Sequence, residues 1–178
     1  MDNAIFVELL DTSLKVALGA LIAGVAGWWV MRRNAAAGSS SVREERCLNM
    51  LEQISGQVGQ VSHIFAKYSS LAAESVQFGE RWPRERRKEL ETISAELVNE
   101  FRRLADAEAK LLMLGEKNLE RSLSLYGRQI ALFRKQVYVG RPDISLEQVA
   151  ALKQETARAR EKFYELLSRK YDRLLASA

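Results

Sequence analysis

The sequence predicts an all-α protein in which a single amino-terminal transmembrane helix precedes an elongated antiparallel helical bundle with coiled-coil-like seams. Three observations lead to this fold class. An uncharged apolar run lies near the amino terminus, apolar residues beyond it recur at spacings of three and four, and the 178 residues include two prolines and ten glycines. The spacing predicts three long helices in the bundle, or four if a glycine inside the second forms a turn.

The apolar run predicts a membrane anchor over residues 14–31, because a helix that is apolar on every side needs lipid or a large core around it. Aromatic rings that favour the lipid–water boundary and a charged stop follow in order. These membrane-boundary residues are Trp28, Trp29, Arg32 and Arg33. The basic residues lie on the carboxyl side, so residues 1–13 are expected outside the cell's inner membrane as a short extracytoplasmic stub and the rest in the cytoplasm.

Two alternatives remain for this run. A cleaved signal peptide needs a basic start, which residues 1–13 lack, although Ala35-Ala36-Ala37 is a small-residue sequence of the kind at which signal peptides are cut. A buried helix of an ordinary domain is the other alternative, since the glycines within the run make it less apolar than a strong span.

Small residues line one face of the predicted span at spacings of four. They are Ala20, Ala23, Gly24 and Gly27. Such a face lets two helices approach closely, so it predicts helix–helix packing within the membrane. The alternative is that alanine and glycine occur here only because they are common in membrane helices.

Residues 32–41 predict a flexible tether, because "NAAAGSSS" is small, polar and without apolar periodicity. Residues 42–178 form the predicted cytoplasmic bundle. Its first helix carries a seam that alternates four and three residues: Cys47, Leu51, Ile54, Val58, Val61, Phe65 and Tyr68. Pro83 disfavours helical geometry at Trp82, which predicts a turn near residues 79–83.

The next apolar stripe runs from Leu90 to Leu114 and resumes beyond Gly115 from Leu119 to Val137. The two parts are displaced by about one residue, so Gly115 marks either a kink in one very long helix or a turn between two helices. Because "LGEKNL" is short and compatible with a helix, we favour the kink.

A clear stop follows at "GRPDIS", where Gly140 and Pro142 end the helix. Ser145 with Gln148 predicts a capping box for the last helix. That helix has a poorly apolar middle, "KQETARARE", which is expected on a solvated edge. Its apolar positions are Val149, Leu152, Phe163, Leu166, Leu167, Tyr171, Leu174 and Leu175.

The composition argues against an enzyme. The net charge of +4 comes from interleaved signs, and there is one cysteine and one histidine. Cys47 alone excludes a disulfide framework or a thiolate cage, and His63 lies off the seam, where exposure is expected. No phosphate-binding loop, paired-histidine motif or nucleophile elbow occurs. We therefore expect no cofactor, metal or small-molecule substrate, and the interleaved charges disfavour nucleic acid.

One concentrated charge feature is "RWPRERRK". It predicts a partner-binding tip made of Arg81, Trp82, Arg84, Arg86, Arg87 and Lys88. An exposed indole beside these cations suits a phosphate group or an acidic protein surface. The alternative is a solvated helix start.

The leading functional hypothesis is a non-enzymatic single-pass membrane protein that contacts the lipid bilayer. Its bundle associates with itself as a homo-oligomer or binds a protein partner, as a scaffold, tether or complex subunit, because long helices gain from lateral packing. A second hypothesis is a membrane effector or signal transducer whose span changes its association when the bundle binds a partner. A third is nucleic-acid binding through residues 81–88, which predicts a steep salt dependence.

Overall fold

A computed structural model describes residues 42–138 and 143–177, and all regular structure within these ranges is helical. The α-helices are α1 over residues 42–78, α2 over Arg84–Met113, α3 over Lys117–Gln136 and α4 over Leu146–Ser177. A 3-10 turn at Gly79–Arg81 lies between α1 and α2. The predicted all-α class is confirmed for this part of the chain.

The chain divides into two compact units, Met1–Glu45 and Arg46–Ala178. Of the first unit, the structure describes residues 42–45, which are helical. The predicted stub, span and tether all lie in residues 1–41, outside the described residues. None of the described helices combines the length and the apolar character that crossing a membrane requires.

Helices α1 and α2 of the second unit run antiparallel. Near one end of the pair, Arg86 of α2 donates to Glu74 of α1 at 2.7 Å. Near the other end, Lys110 of α2 donates to Gln53 of α1 at 3.3 Å. The 3-10 turn that ends α1 places these side chains opposite one another, as the predicted turn near residues 79–83 requires.

Helix α4 returns along α1, again antiparallel. The Tyr164 hydroxyl donates to the Ser55 carbonyl at 3.3 Å, and the Tyr171 hydroxyl donates to the Glu52 carboxylate at 2.9 Å. Helix α3 packs against both α2 and α4. The second unit is therefore a four-helix bundle whose helices alternate in direction.

The predicted kink at Gly115 is wrong, because α2 ends there and α3 starts a new helix. Gly115 has a φ of +74°, a left-handed conformation that glycine adopts without steric cost. The Gly115 amide donates to the Leu112 carbonyl at 3.0 Å, and the Glu116 amide donates to the Leu111 carbonyl at 2.9 Å. These two bonds are the Schellman arrangement, which satisfies the last carbonyls of a helix and stops it. The bundle therefore has four helices.

The predicted seams form the core. On α1 every seam position from Leu51 to Tyr68 is buried, while Cys47 is half-buried. Phe133 of α3 has no exposed surface, and its ring meets that of Phe65 edge to face, with 5.3 Å between the ring centres. The Tyr68 ring meets the Phe133 ring edge to face as well, with 6.1 Å between the ring centres. This aromatic cluster joins α1 to α3 at the centre of the bundle.

The predicted capping box of α4 is confirmed. The Ser145 amide donates to the Gln148 side-chain oxygen at 3.0 Å, and the Gln148 amide donates to the Ser145 hydroxyl at 3.2 Å. The middle of α4 is less solvated than expected, because Thr156 and Ala159 are buried. These small side chains let the helix pack closely without large apolar residues. At the far end, Leu175 is 52% exposed and lies outside the core.

Candidate binding surfaces

Two largely apolar hollows lie along α2, and we call them together the α2–α3 groove. The first, of about 370 Å³, lies beside Leu90, Val98 and Tyr138, and the second, of about 290 Å³, lies between α2 and α3 beside Phe101 and Ala131. Val98 is 48% exposed at the first hollow. Grooves of this kind accept the ridge of another helix.

Both signs of charge border the α2–α3 groove. Glu91 and Glu108 lie on the α2 side and Arg128 on the α3 side. Partial burial raises the pKa of Glu108, and the nearby Glu120 carboxylate raises it further, while the Arg128 charge lowers it. Glu91 and Glu108 thus form an acidic border on the α2 side of this groove.

Helix α3 has an outward face on which leucine and basic residues alternate. We call it the α3 ridge. It consists of Arg121, Leu125, Arg128, Leu132 and Lys135, at successive spacings of four and three, which places them on one side of the helix. All five are exposed, and residues 121–136 contain no Asp or Glu. An apolar, purely basic ridge suits a surface that offers apolar contacts with acidic neighbours.

A separate cleft lies between α1, α3 and α4. We call it the α1–α4 cleft. It measures about 140 Å³ and is lined by Ser62, Tyr126, Lys153 and Arg160, with the small side chains Ala66 and Ala157 at its walls. The Ser62 hydroxyl lies 2.9 Å from the Tyr126 hydroxyl and also donates to the Val58 carbonyl at 2.7 Å.

Burial raises the pKa of the Tyr126 phenol, while the hydrogen bond with Ser62 and the charge of Arg160 lower it. Burial also raises the pKa of Tyr164, four residues after Arg160 on α4, and the Arg160 charge again lowers it. The Arg160 guanidinium therefore lies within electrostatic reach of both phenols. Basic and hydroxyl groups from three helices meet at this cleft.

The predicted partner-binding tip is only partly exposed. Only 4% of the Trp82 surface is exposed, and its ring belongs to the core. The prediction of an exposed Trp82 beside the cations is therefore wrong. The apolar ring gains more from burial between helices than from contact with solvent. Arg86 is occupied by Glu74 at 2.7 Å and Glu89 at 2.6 Å. Four of the six tip residues remain exposed: Arg81, Arg84, Arg87 and Lys88.

The residues singled out for membrane anchoring and for packing within the membrane lie outside the described residues. They are Trp28, Trp29, Arg32 and Arg33, and Ala20, Ala23, Gly24 and Gly27. His63 is exposed, as its position off the seam predicts. Within residues 42–138 and 143–177 no three His, Cys, Asp or Glu side chains are placed to hold a metal ion.

The α3 ridge, the α2–α3 groove and the α1–α4 cleft were not predicted from the sequence. The absence of acidic residues between residues 121 and 136 was visible in the sequence and was the available signal for the ridge. The groove and the cleft each combine residues that are far apart in the chain, so no local sequence pattern predicts them. The chain matches no protein-family model, and neither the curated proteins nor the solved structures contain a match to it. Its surfaces therefore carry the functional argument.

Proposed function

We propose that this chain is a non-enzymatic, membrane-anchored helical bundle that assembles with further copies of itself as a scaffold or tether. The observation that carries the proposal is the pairing of an exposed ridge and an exposed groove on one molecule. The α3 ridge presents Leu125 and Leu132, 42% and 39% exposed, and the α2–α3 groove presents an apolar hollow beside Val98.

Charge favours a second copy as the occupant of the groove. Cations flank the leucines of the ridge, and Glu91 and Glu108 border the groove. A ridge from one copy that enters the groove of the next brings leucines onto the apolar floor and cations toward these carboxylates. Arg128 belongs to the ridge and also borders the groove, but Leu125 and Leu132 of the ridge line neither hollow. The contact between leucines and groove is therefore heterologous and builds rings or open rows of subunits, as a scaffold requires.

The anchor in this proposal rests on residues 14–31, which are uncharged apart from Lys15, contain Trp28 and Trp29 near their end and are followed by Arg32 and Arg33. We expect a compartment-sensitive reporter fused to the carboxyl terminus to signal from the cytoplasm, and deletion of residues 14–31 to release the chain from the membrane fraction. A full-length chain that stays in solution without detergent, or a mature chain that begins after Ala37, contradicts the anchor.

Self-assembly is tested by the mass of the full chain in detergent, measured by sedimentation. Leu125→Glu with Leu132→Glu removes the ridge, and Val98→Glu blocks the groove. Each buried leucine contributes about 1.5–3 kcal/mol, so we expect either variant to weaken assembly by more than about tenfold. Leu146→Glu is the matched control, because Leu146 is 48% exposed at the start of α4 and belongs to neither surface.

Mixing the two variants separates this interface from others. The ridge variant keeps its groove and the groove variant keeps its ridge, so the mixture should form larger assemblies than either variant alone. Any association through the membrane span is the same in all of these samples and cancels in the comparison. Assemblies of wild-type mass in both variants, or a mixture no larger than either variant alone, would contradict the proposal.

A further inference from the structure

We propose that the α1–α4 cleft binds a small oxyanion of the phosphate type, held by Arg160 and Lys153. The cleft is distinct from the ridge and the groove, so this site does not depend on self-assembly. Its volume of about 140 Å³ is several times the roughly 10–15 Å³ of such volume that one water molecule needs. An ion of a few non-hydrogen atoms fits this volume.

The basic groups of the cleft have no acidic residue three or four positions away on their own helix. Residues three and four positions away from Lys153 on α4 are Val149, Ala150, Thr156 and Ala157. Arg160 has Thr156, Ala157, Phe163 and Tyr164 at the same spacings. Neither cation forms an ion pair with any residue that the structure describes. Their charges are therefore available to a ligand.

The segments of α1 and α3 that face these cations also contain no carboxylates. Residues 53–73 of α1 contain no Asp or Glu, and neither do residues 121–136 of α3. The acids in this part of α4 are Glu155, which pairs with Arg158 at 2.8 Å, and Glu161, which follows Arg160, is exposed and does not line the cleft. Lys153 and Arg160 thus bring positive charge to a cleft that no carboxylate lines, which favours an anion over a cation or a neutral molecule.

Hydroxyl groups complete the site. Ser62 lies 2.9 Å from Tyr126 and donates to the backbone carbonyl of its own helix. A serine hydroxyl rotates freely, so Ser62 can turn from this carbonyl toward an oxyanion once the ligand enters. A guanidinium binds two oxygens of a tetrahedral oxyanion side by side, and an ammonium neutralises a third. Arg160 and Lys153 supply these two groups.

The experiment is calorimetric titration of the full chain in detergent with inorganic phosphate, with glycerol phosphate, and with chloride at equal ionic strength. We expect phosphate to bind and chloride to give no saturable heat. Equal affinity for glycerol phosphate identifies a phosphate monoester as an acceptable source, whereas binding of phosphate alone identifies the free ion. No saturable heat from either phosphate compound would overturn the site.

Three variants locate the binding. Arg160→Ala should weaken phosphate binding at least about tenfold, since a charge-assisted hydrogen bond contributes about 1.5–3 kcal/mol. Ala157→Leu fills the cleft without changing charge and should weaken binding as much. Arg158→Ala is the matched control, because Arg158 is an exposed cation on α4 that does not line the cleft. This variant should bind phosphate as tightly as wild type. Phosphate affinity that drops only in Arg158→Ala, or in none of the three, refutes the assignment, provided that circular dichroism shows each variant folded.

Discussion

Replacing Phe133 with alanine is expected to lower the free energy of unfolding by about 3–5 kcal/mol, the usual cost of removing a fully buried aromatic ring. Phe133 has no exposed surface and meets Phe65 and Tyr68 edge to face. Its loss removes apolar burial on α3 and leaves a cavity between α1 and α3. Thermal and urea unfolding of the full chain in detergent, followed by circular dichroism, measures the change.

The matched control for Phe133→Ala is Leu175→Ala, because Leu175 is 52% exposed on α4. We expect that change to alter the free energy of unfolding by less than about 0.5 kcal/mol, as substitutions at exposed positions usually do. Equal effects of the two substitutions would show that the aromatic cluster does not hold α1 and α3 together.

Trp82→Ala is expected to cost a similar amount, about 3–5 kcal/mol, because Trp82 is 4% exposed at the junction of α1 and α2. Trp82→Phe should cost much less. It retains most of the apolar ring, and the indole N–H that it removes meets no acceptor among the described residues. Unfolding of the two variants under the same conditions measures the difference.

Exposed cations on the same turn provide the control for Trp82. Arg84→Ala and Arg87→Ala should leave the free energy of unfolding within about 0.5 kcal/mol of wild type, because both side chains extend into solvent. If Trp82 belonged to a partner-binding tip, Trp82→Ala would be as well tolerated as these two. A Trp82→Ala protein as stable as wild type would therefore contradict the burial of Trp82.

The helical seams were predictable because each is a local property of the chain. Leu51 to Tyr68 on α1 repeat at intervals of three and four, and every member is buried. The capping box of Ser145 and Gln148 was predictable for the same reason, since its two hydrogen bonds join residues three apart. Signals that span one or two helical turns need no knowledge of the rest of the fold.

Two local signals were ambiguous and were resolved by packing. Gly115 permits both a helix and a left-handed turn, and contact of α3 with α2 and α4 favours the turn. The reason is that one straight helix over residues 84–136 would leave its apolar stripe without partners, whereas a turn lets α3 fold back and bury it. Trp82 follows the same principle, because the junction of two helices offers its ring a buried position.

The candidate surfaces could be predicted only where one helix contains them. The α3 ridge was readable in principle, since its leucines and cations share one helix. The α1–α4 cleft was not, because Ser62 and Arg160 are 98 positions apart in the numbering and meet only when α4 returns along α1. The "KQETARARE" segment that supplies Lys153 and Arg160 had suggested nothing more than a solvated edge.

The amino-acid sequence by itself determined the helical class, the buried seam of α1 and the cap that starts α4, since these follow from periodicity and short-range hydrogen bonding. The tertiary structure alone decided the number of helices, the burial of Trp82 and the location of the groove and the cleft. Each of these depends on apolar surface and charge contributed by residues far apart in the chain, whose free energy is realised only after the helices have packed.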